Sequence, residues 1–262
     1  MVRAGQRQSY VAIIQFALLT GVLLWLMAKG AESMGYNWQW YRVPRYLYRI
    51  KDGELIWGPL MRGLFATIEL SLISFALTLI IGLGTSLLRL SSSIVGRGLA
   101  RCYLELIRNT PILVQLYLFY FVLAPILGID RWWTAILCLA VFEGSFASEI
   151  FRAGILSVPR GQWEASDSLG LPRADAYRFV ILPQAVRLML PPLTSLAVSL
   201  IKHSSIVSVI AVAELTTEGR NIISETYMSF EIWFTVAALY LALTVSLSLF
   251  ATYLEHRLHA PA

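Results

Sequence analysis

Two sets of polar side chains stand where an apolar chain has least reason to keep them. Glu143 sits midway along one apolar run, flanked by Gly144 and Ser145, with Ala147 and Ser148 following. Lys202 and His203 lie deep in another, followed by Ser204 and Ser205, with Pro191 and Pro192 upstream. An ionised group at the centre of a bilayer costs about 2.5–3.5 kcal/mol on insertion scales, so each needs a partner or a water-filled cavity. Two readings fit Glu143: a pocket carboxylate that attracts a ligand ammonium, or a carboxylate hydrogen-bonded between helices. The small residues around it suit both, since they admit close helix packing or leave room for a ligand. Lys202 either binds a substrate carboxylate or pairs with a glutamate from another span. Prolines that interrupt its helix favour a path-lining role. Gln115 lines the same path or makes a helix–helix hydrogen bond. The candidates for a transport path are therefore Gln115, Glu143, Ser145, Lys202, His203, Ser204 and Ser205. Glu149 and Arg152, three residues apart on one helix face, are expected to form a structural ion pair. Glu69, seven residues after Arg62, is expected to snorkel or to pair with that arginine.

Covalent chemistry finds no such constellation. There is no Gly-x-x-x-x-Gly-Lys-Ser/Thr, and none of Lys29, Lys51 and Lys202 has a phosphate-cradling context. No Ser-His-Asp arrangement or metal-ligand spacing is present, and Cys102 and Cys138 belong to no CxxC. The expectation is no catalytic residue, no metal and no cofactor, with any ATP hydrolysed by a separate subunit. Composition agrees. Of 262 residues 57% are hydrophobic and 14% charged, against about 25% charged in soluble domains. The mean hydropathy is +0.66. That excludes disordered, fibrous and nucleic-acid-binding classes and argues against a water-soluble enzyme. The net charge of +5 suits cytoplasmic loops and anionic lipid headgroups.

A bilayer core of about 30 Å needs about 20 apolar residues in helix. Six stretches are expected to span: residues 11–28, 60–88, 110–129, 133–150, 188–213 and 232–254. Barrel strands would alternate over about 10 residues, and these runs are longer and apolar all round. The first, preceded by Arg3 and Arg7, exceeds the roughly 7–15 residues of a signal peptide's apolar region and is read as an uncleaved span. Arginine placement sets the orientation. Arg3 and Arg7, then Arg89, Arg97, Arg101 and Arg108, then Arg152, Arg160, Arg173, Arg178 and Arg187, and Arg257, face the cytoplasm, as do both termini. The loop 214–231, with Glu214, Glu218, Glu225 and Glu231, faces out. The loop 29–59 also faces out despite its basic residues, and its Trp38, Trp40, Tyr41, Tyr46 and Tyr48 suit a helix lying on the interface.

The largest polar block between spans is 157–187. Residues 162–169 can form a short helix that Gly170 stops. Pro172 suits the first turn of a second helix over 174–181, and Pro183 is expected to break the pattern before the next span. The result is a compact helix–turn–helix at the membrane surface.

Within that block Glu164-Ala165-Ser166, Gly170, Val180 and Leu182-Pro183 resemble the EAA loop of ABC importer permeases, with Ser166 and Val180 as mild departures. Three further segments resemble the polar amino-acid permeases: Arg108-Asn109-Thr110-Pro111-Ile112-Leu113-Val114-Gln115-Leu116, Glu149-Ile150-Phe151-Arg152-Ala153-Gly154-Ile155, and Lys202-His203-Ser204-Ser205-Ile206. His203 stands where that family more usually has Asp, Asn or Glu. The resemblance covers roughly residues 56–255. It implies an all-α membrane protein, a type I ABC importer transmembrane domain with a cytoplasmic coupling-helix loop. Residues 1–55 would add a leading span and a periplasmic interfacial segment, and 256–262 a cytoplasmic tail. Glu164, Ala165, Gly170, Leu182 and Pro183 would carry the ATPase coupling. The implied partners are two ABC ATPase subunits, a second permease copy or paralogue, a periplasmic amino-acid-binding protein and membrane lipid, with no nucleic acid. The implied function is import of polar or charged L-amino acids across a bacterial inner membrane. The alternatives are another small polar solute, an ion-coupled secondary transporter, or a membrane anchor with no pathway.

Overall fold

Apolar runs too long for strands fold as helices in the computed structural model, which describes residues 2–259. Two units meet at residue 40. The first holds α1 (Val2–Ser33) and an aromatic run in which Trp38 and Trp40 stack 6.1 Å apart. The second begins with α2 (Pro44–Leu47) and a hairpin of β1 (Tyr48–Lys51) and β2 (Glu54–Trp57), paired Tyr48 to Trp57 and Lys51 to Glu54. Asp52 and Gly53, both at positive φ, make the two-residue turn whose twist suits a hairpin. The helices α3 (Pro59–Leu90), α4 (Ile94–Arg108), α5 (Ile112–Leu118), α6 (Ala124–Leu127) and α7 (Arg131–Leu156) follow. Next come α8 (Arg160–Ser168), α9 (Arg173–Asp175), α10 (Leu182–Ser204), α11 (Leu215–Thr226) and α12 (Ser229–His259).

Among the described residues four helical stretches are long and apolar enough to cross a membrane: Pro59–Leu90, Arg131–Leu156, Arg173–Ile210 and Ser229–Tyr253. Ile94–Arg108 and Ile112–Leu127, bent by 107°, make a fifth if counted together. Of the six expected spans, the first finds a helix whose described apolar stretch, Ile13–Leu23, is short of a crossing. The last residues of the expected tail, 260–262, lie outside the described residues.

Helices α3 and α7 form the central seam. Thr67, Leu70, Ser71, Ser74, Thr78 and Gly82 are buried along one face of α3 at three- and four-residue spacing, and small residues let membrane helices approach closely. A Cβ on Gly82 would sit 2.6 Å from the Ala147 Cβ. Gly82→Ala is therefore expected to destabilise the protein by the roughly 1–3 kcal/mol of an overpacked core. Adding Ala147→Gly should recover part of that loss. Thermal unfolding in detergent checks both, and an unchanged midpoint in the single variant refutes the seam. Around it lie three apolar clusters. One joins Leu70, Leu116, Ile136, Leu139 and Val207. Another packs Tyr46, Leu60, Leu215, Met228 and Ile232 at one end. The third packs Ile155, Val158, Ile181, Ala185 and Met189 at the other.

Four expectations need correction. The loop 29–59 holds no interfacial helix beyond the single turn of α2; the Asp52-Gly53 turn favours a hairpin instead. The span at 110–129 begins only at Ile112, because Pro111 lacks a donor and keeps Thr110 out of helix. The chain before it, read as a loop, is α4. Pro183, Pro191 and Pro192 break nothing: all three lie within α10. The π-helical segment Ala176–Ile181 just before Pro183 shifts the hydrogen-bond register so the proline is accommodated. Thr194 donates its hydroxyl to the Pro191 carbonyl at 2.7 Å, one of the local repairs that make prolines tolerable in spanning helices. Last, Glu69 is exposed and forms no ion pair with Arg62 among the described residues. Arg62 instead shares a cleft with Glu218 and Glu225. There burial raises the Glu218 carboxyl above its ordinary value, and the Arg62 charge opposes the shift.

Candidate functional site

The polar block folds as a short elbow. Helix α8 starts after an extended Pro159 and ends in a left-handed Gly170, φ +68°. The Gly170 N–H donates to the Asp167 carbonyl at 3.0 Å and the Leu171 N–H to that of Ser166 at 3.1 Å. This pair is the Schellman closure, which needs a residue at ease with positive φ. Pro172, expected in the first turn of the next helix, is its N-cap, so its fixed φ serves the extended link instead. The second helix is α9 running into the π segment. Trp163 packs edge-on against Tyr177, 5.1 Å between centroids. Buried Ser166 donates to the Gln162 carbonyl. The elbow is thereby held against the third cluster by one face of α8.

The other face is free. Glu164 and Ala165 are exposed, with Glu164 held only by an i,i+4 contact to Arg160 at 3.1 Å. Leu182 and Pro183 are also exposed, at the start of α10. Leu169, which the sequence reading passed over, is 77% exposed at the tip. An apolar residue just before the stop glycine, off the face carrying Trp163 and Ser166, is the signal that marks it. Together these residues form a small docking face with an apolar knob beside a carboxylate.

Inside the bundle, the structure brings Glu143 to His203. The Glu143 Oε1 lies 2.5 Å from the His203 Nδ1, joining α7 to α10. The glutamate side chain is 2% exposed and the histidine 40%. Phe142 stands edge-on to the imidazole. Ser145 and Ser204, both fully buried, donate to the carbonyls of Phe142 and Ile201. Ser205 donates to that of Lys202. Gln115 is elsewhere: its amide donates to Ile107 and Thr110, pinning the bend between α4 and α5. Glu149 bonds both Arg152 and Arg89, so the expected pair is a three-residue bridge between α7 and α3.

Lys202 points away from His203. It is exposed and forms no ion pair among the described residues. It lines a groove of about 550 Å³ with Ser195, Ser199, Ser248 and Thr252, floored by Pro191 and Pro192. Ser195, Ser199 and Lys202 follow one face of α10 at i, i+4 and i+7. The groove offers one ammonium and several hydroxyls, donors for a carboxylate and partners for a polar side chain. Beyond the opposite end of the bundle, Glu214 caps α11, accepting from Thr216 and Thr217 N–H at 2.8 and 2.7 Å. Burial raises its carboxyl, against those amide donors.

Residues 80–260 match the family model described as binding-protein-dependent transport system inner membrane component. The glutamine transport system permease protein of Escherichia coli (strain K12) is 38% identical over 213 residues, covering 79% of this chain and 97% of that protein. The L-cystine transport system permease protein of Bacillus subtilis (strain 168) is 41% identical over 170 residues, 64% of this chain and 73% of its own. The crystal structure of an amino acid ABC transporter with histidines superposes with a TM-score of 0.71 at 37% identity, covering 76% of this chain and 94% of that one.

Proposed function

The chain belongs to the family of binding-protein-dependent transport system inner membrane components, and on that premise we propose that it is the membrane permease of an ABC importer for polar or charged L-amino acids. It is a transport subunit of the inner membrane, not an enzyme; ATP hydrolysis resides in a partner. The permease body is residues 56–255, with 157–187 as the coupling loop, 1–55 an added leader and 256–262 a tail. Two copies, or a copy and a paralogue, flank one pathway. Two ATPase subunits seat against the elbow through Glu164, Ala165, Leu169 and the Gly170 turn. A periplasmic binding protein delivers the amino acid at the end that carries α11 and the hairpin. The arginine-rich end faces the cytoplasm, as do both termini. Closure of the ATPases moves the elbow, and the bundle flips between two states biased from both ends.

The observation that carries the cargo class is Lys202. An ammonium on a spanning helix, with no carboxylate partner among the described residues and an open hydroxyl-lined groove before it, suits the α-carboxylate every amino acid shares. A hydrogen bond to a charged group is worth about 1.5–3 kcal/mol. Lys202→Gln is therefore expected to reduce ATP-dependent uptake of labelled glutamine, glutamate and arginine by about tenfold or more at unchanged protein level. Wild-type uptake of all three by this variant removes Lys202 from the path. Vanadate-resistant uptake by the unaltered protein would instead favour an ion-driven carrier.

A further inference from the structure

A second cavity, of about 520 Å³, lies at the arginine-rich end and plays no part in the transport path described above. Arg89, Arg97, Arg101, Arg108 and Arg152 line it, with Glu105 and Asn109. Glu149 bonds Arg89 and Arg152, so five guanidiniums face two carboxylates. Arg97 and Arg108 are held by carbonyls, of Ser91 at 2.8 Å and of Ser145. Arg108 also lies over the Phe146 ring. Arg101 is exposed, with no protein partner among the described residues. The cavity thus keeps an excess of three positive charges, with fork-shaped donors whose geometry matches phosphate oxygens.

Three of these arginines come from α4, and that helix has three faces. Gly96, Ala100 and Leu104 are buried against the bundle. Arg97, Arg101 and Arg108, at i, i+4 and i+11, form a basic stripe. Val95, Leu99 and Leu106, 72%, 63% and 62% exposed, form an apolar one beside it. The bend of 107° between Ile94–Arg108 and Ile112–Leu127 lays α4 close to the membrane plane when the second segment crosses. A helix in that plane with basic and apolar stripes side by side is built for the boundary between headgroups and acyl chains. Arginine excess at the cytoplasmic side places it where the anionic leaflet attracts basic groups.

We infer that this cavity is a binding site for the phosphate of an anionic phospholipid, seated under α4 with its acyl chains along Val95, Leu99 and Leu106. The same donors would accept free phosphate; the apolar stripe beside them selects the lipid. The inference requires only a membrane-spanning chain and is independent of the cargo. Lipid held here braces the Arg89–Glu149–Arg152 bridge between α3 and α7, next to the elbow.

The test is native mass spectrometry of the transporter, purified in mild detergent with the subunits that accompany it, after addition of phosphatidylglycerol, phosphatidylcholine or inorganic phosphate. Phosphatidylglycerol is expected to be retained over phosphatidylcholine and to resist displacement by millimolar phosphate. Arg101→Gln, which removes no internal contact, should lower retention about fivefold, and Arg101→Lys should recover most of it. Arg187→Gln, on the same side but outside the cavity, should leave retention unchanged. Equal retention of the two lipids, equal retention by Arg101→Gln and the unaltered protein, or an equal loss in Arg187→Gln each overturns the site. Displacement of the lipid by phosphate overturns the lipid as its ligand.

Discussion

Replacing Gly170 by valine is expected to abolish uptake while leaving the protein in the membrane at its usual level. An added Cβ at Gly170 meets nothing within 4 Å, so the effect is not steric crowding. It comes from the backbone, held at φ +68°, a region that costs an L-residue about 1–2 kcal/mol and is a genuine outlier for a β-branched one. Valine escapes by turning extended, which gives up the hydrogen bonds from Gly170 and Leu171 N–H to Asp167 and Ser166. Helix α8 then loses its closure, and the face carrying Glu164, Ala165 and Leu169 swings away from its aim. One or two kcal/mol already changes a population by a factor of about 5–30, so uptake should fall at least about tenfold. ATP hydrolysis by the assembled transporter should continue without driving import. Gly170→Asn separates this account from a general intolerance, because asparagine accepts the left-handed region and should keep most of the uptake. Wild-type uptake by Gly170→Val, measured in proteoliposomes with the binding protein and ATP, refutes the elbow's role.

That elbow was legible because its code is local. Gly170 and Pro172 sit within three residues of the turn they make, and neither depends on a distant partner. The spanning helices were legible for the same reason, since length and apolar content are properties of a segment alone. What escaped the sequence is what depends on packing. Glu143 meets His203, and Arg89 meets Glu149, each across 60 residues, and no spacing rule links such positions. The prolines misled in the opposite direction. Pro183, Pro191 and Pro192 each remove a donor, yet the π segment and local hydroxyl bonds absorb the loss, repairs that propensity reasoning does not anticipate. Helix α4 was missed because its arginines read as a cytoplasmic loop. Written on a wheel, the same arginines mark one stripe of an amphipathic helix. Gln115 had two readings, path or packing, and its three donations at the bend assign it to packing in this conformation.

The Glu143–His203 contact carries an asymmetry that makes the second large prediction. Breaking a buried charged pair costs about 3–5 kcal/mol when the group left behind stays buried without a partner. Here the two partners differ, with the glutamate 2% and the histidine 40% exposed. His203→Ala strands a carboxylate between α7 and α10 with no route to water, so it should approach the full cost. Glu143→Ala strands an imidazole that can rehydrate toward the open side. Its cost should fall nearer the roughly 1–3 kcal/mol of an unmet polar group. The ordering is the reverse of what size alone suggests, since the glutamate is the more deeply packed of the two. Glu143→Gln combined with His203→Ala removes the stranded charge and should regain much of what His203→Ala loses. Thermal unfolding of the four proteins in one detergent reads the cycle. If Glu143→Ala proves the more damaging single change, the carboxylate was not relying on His203, and the reading of Glu143 as a pocket group for a ligand ammonium regains its place.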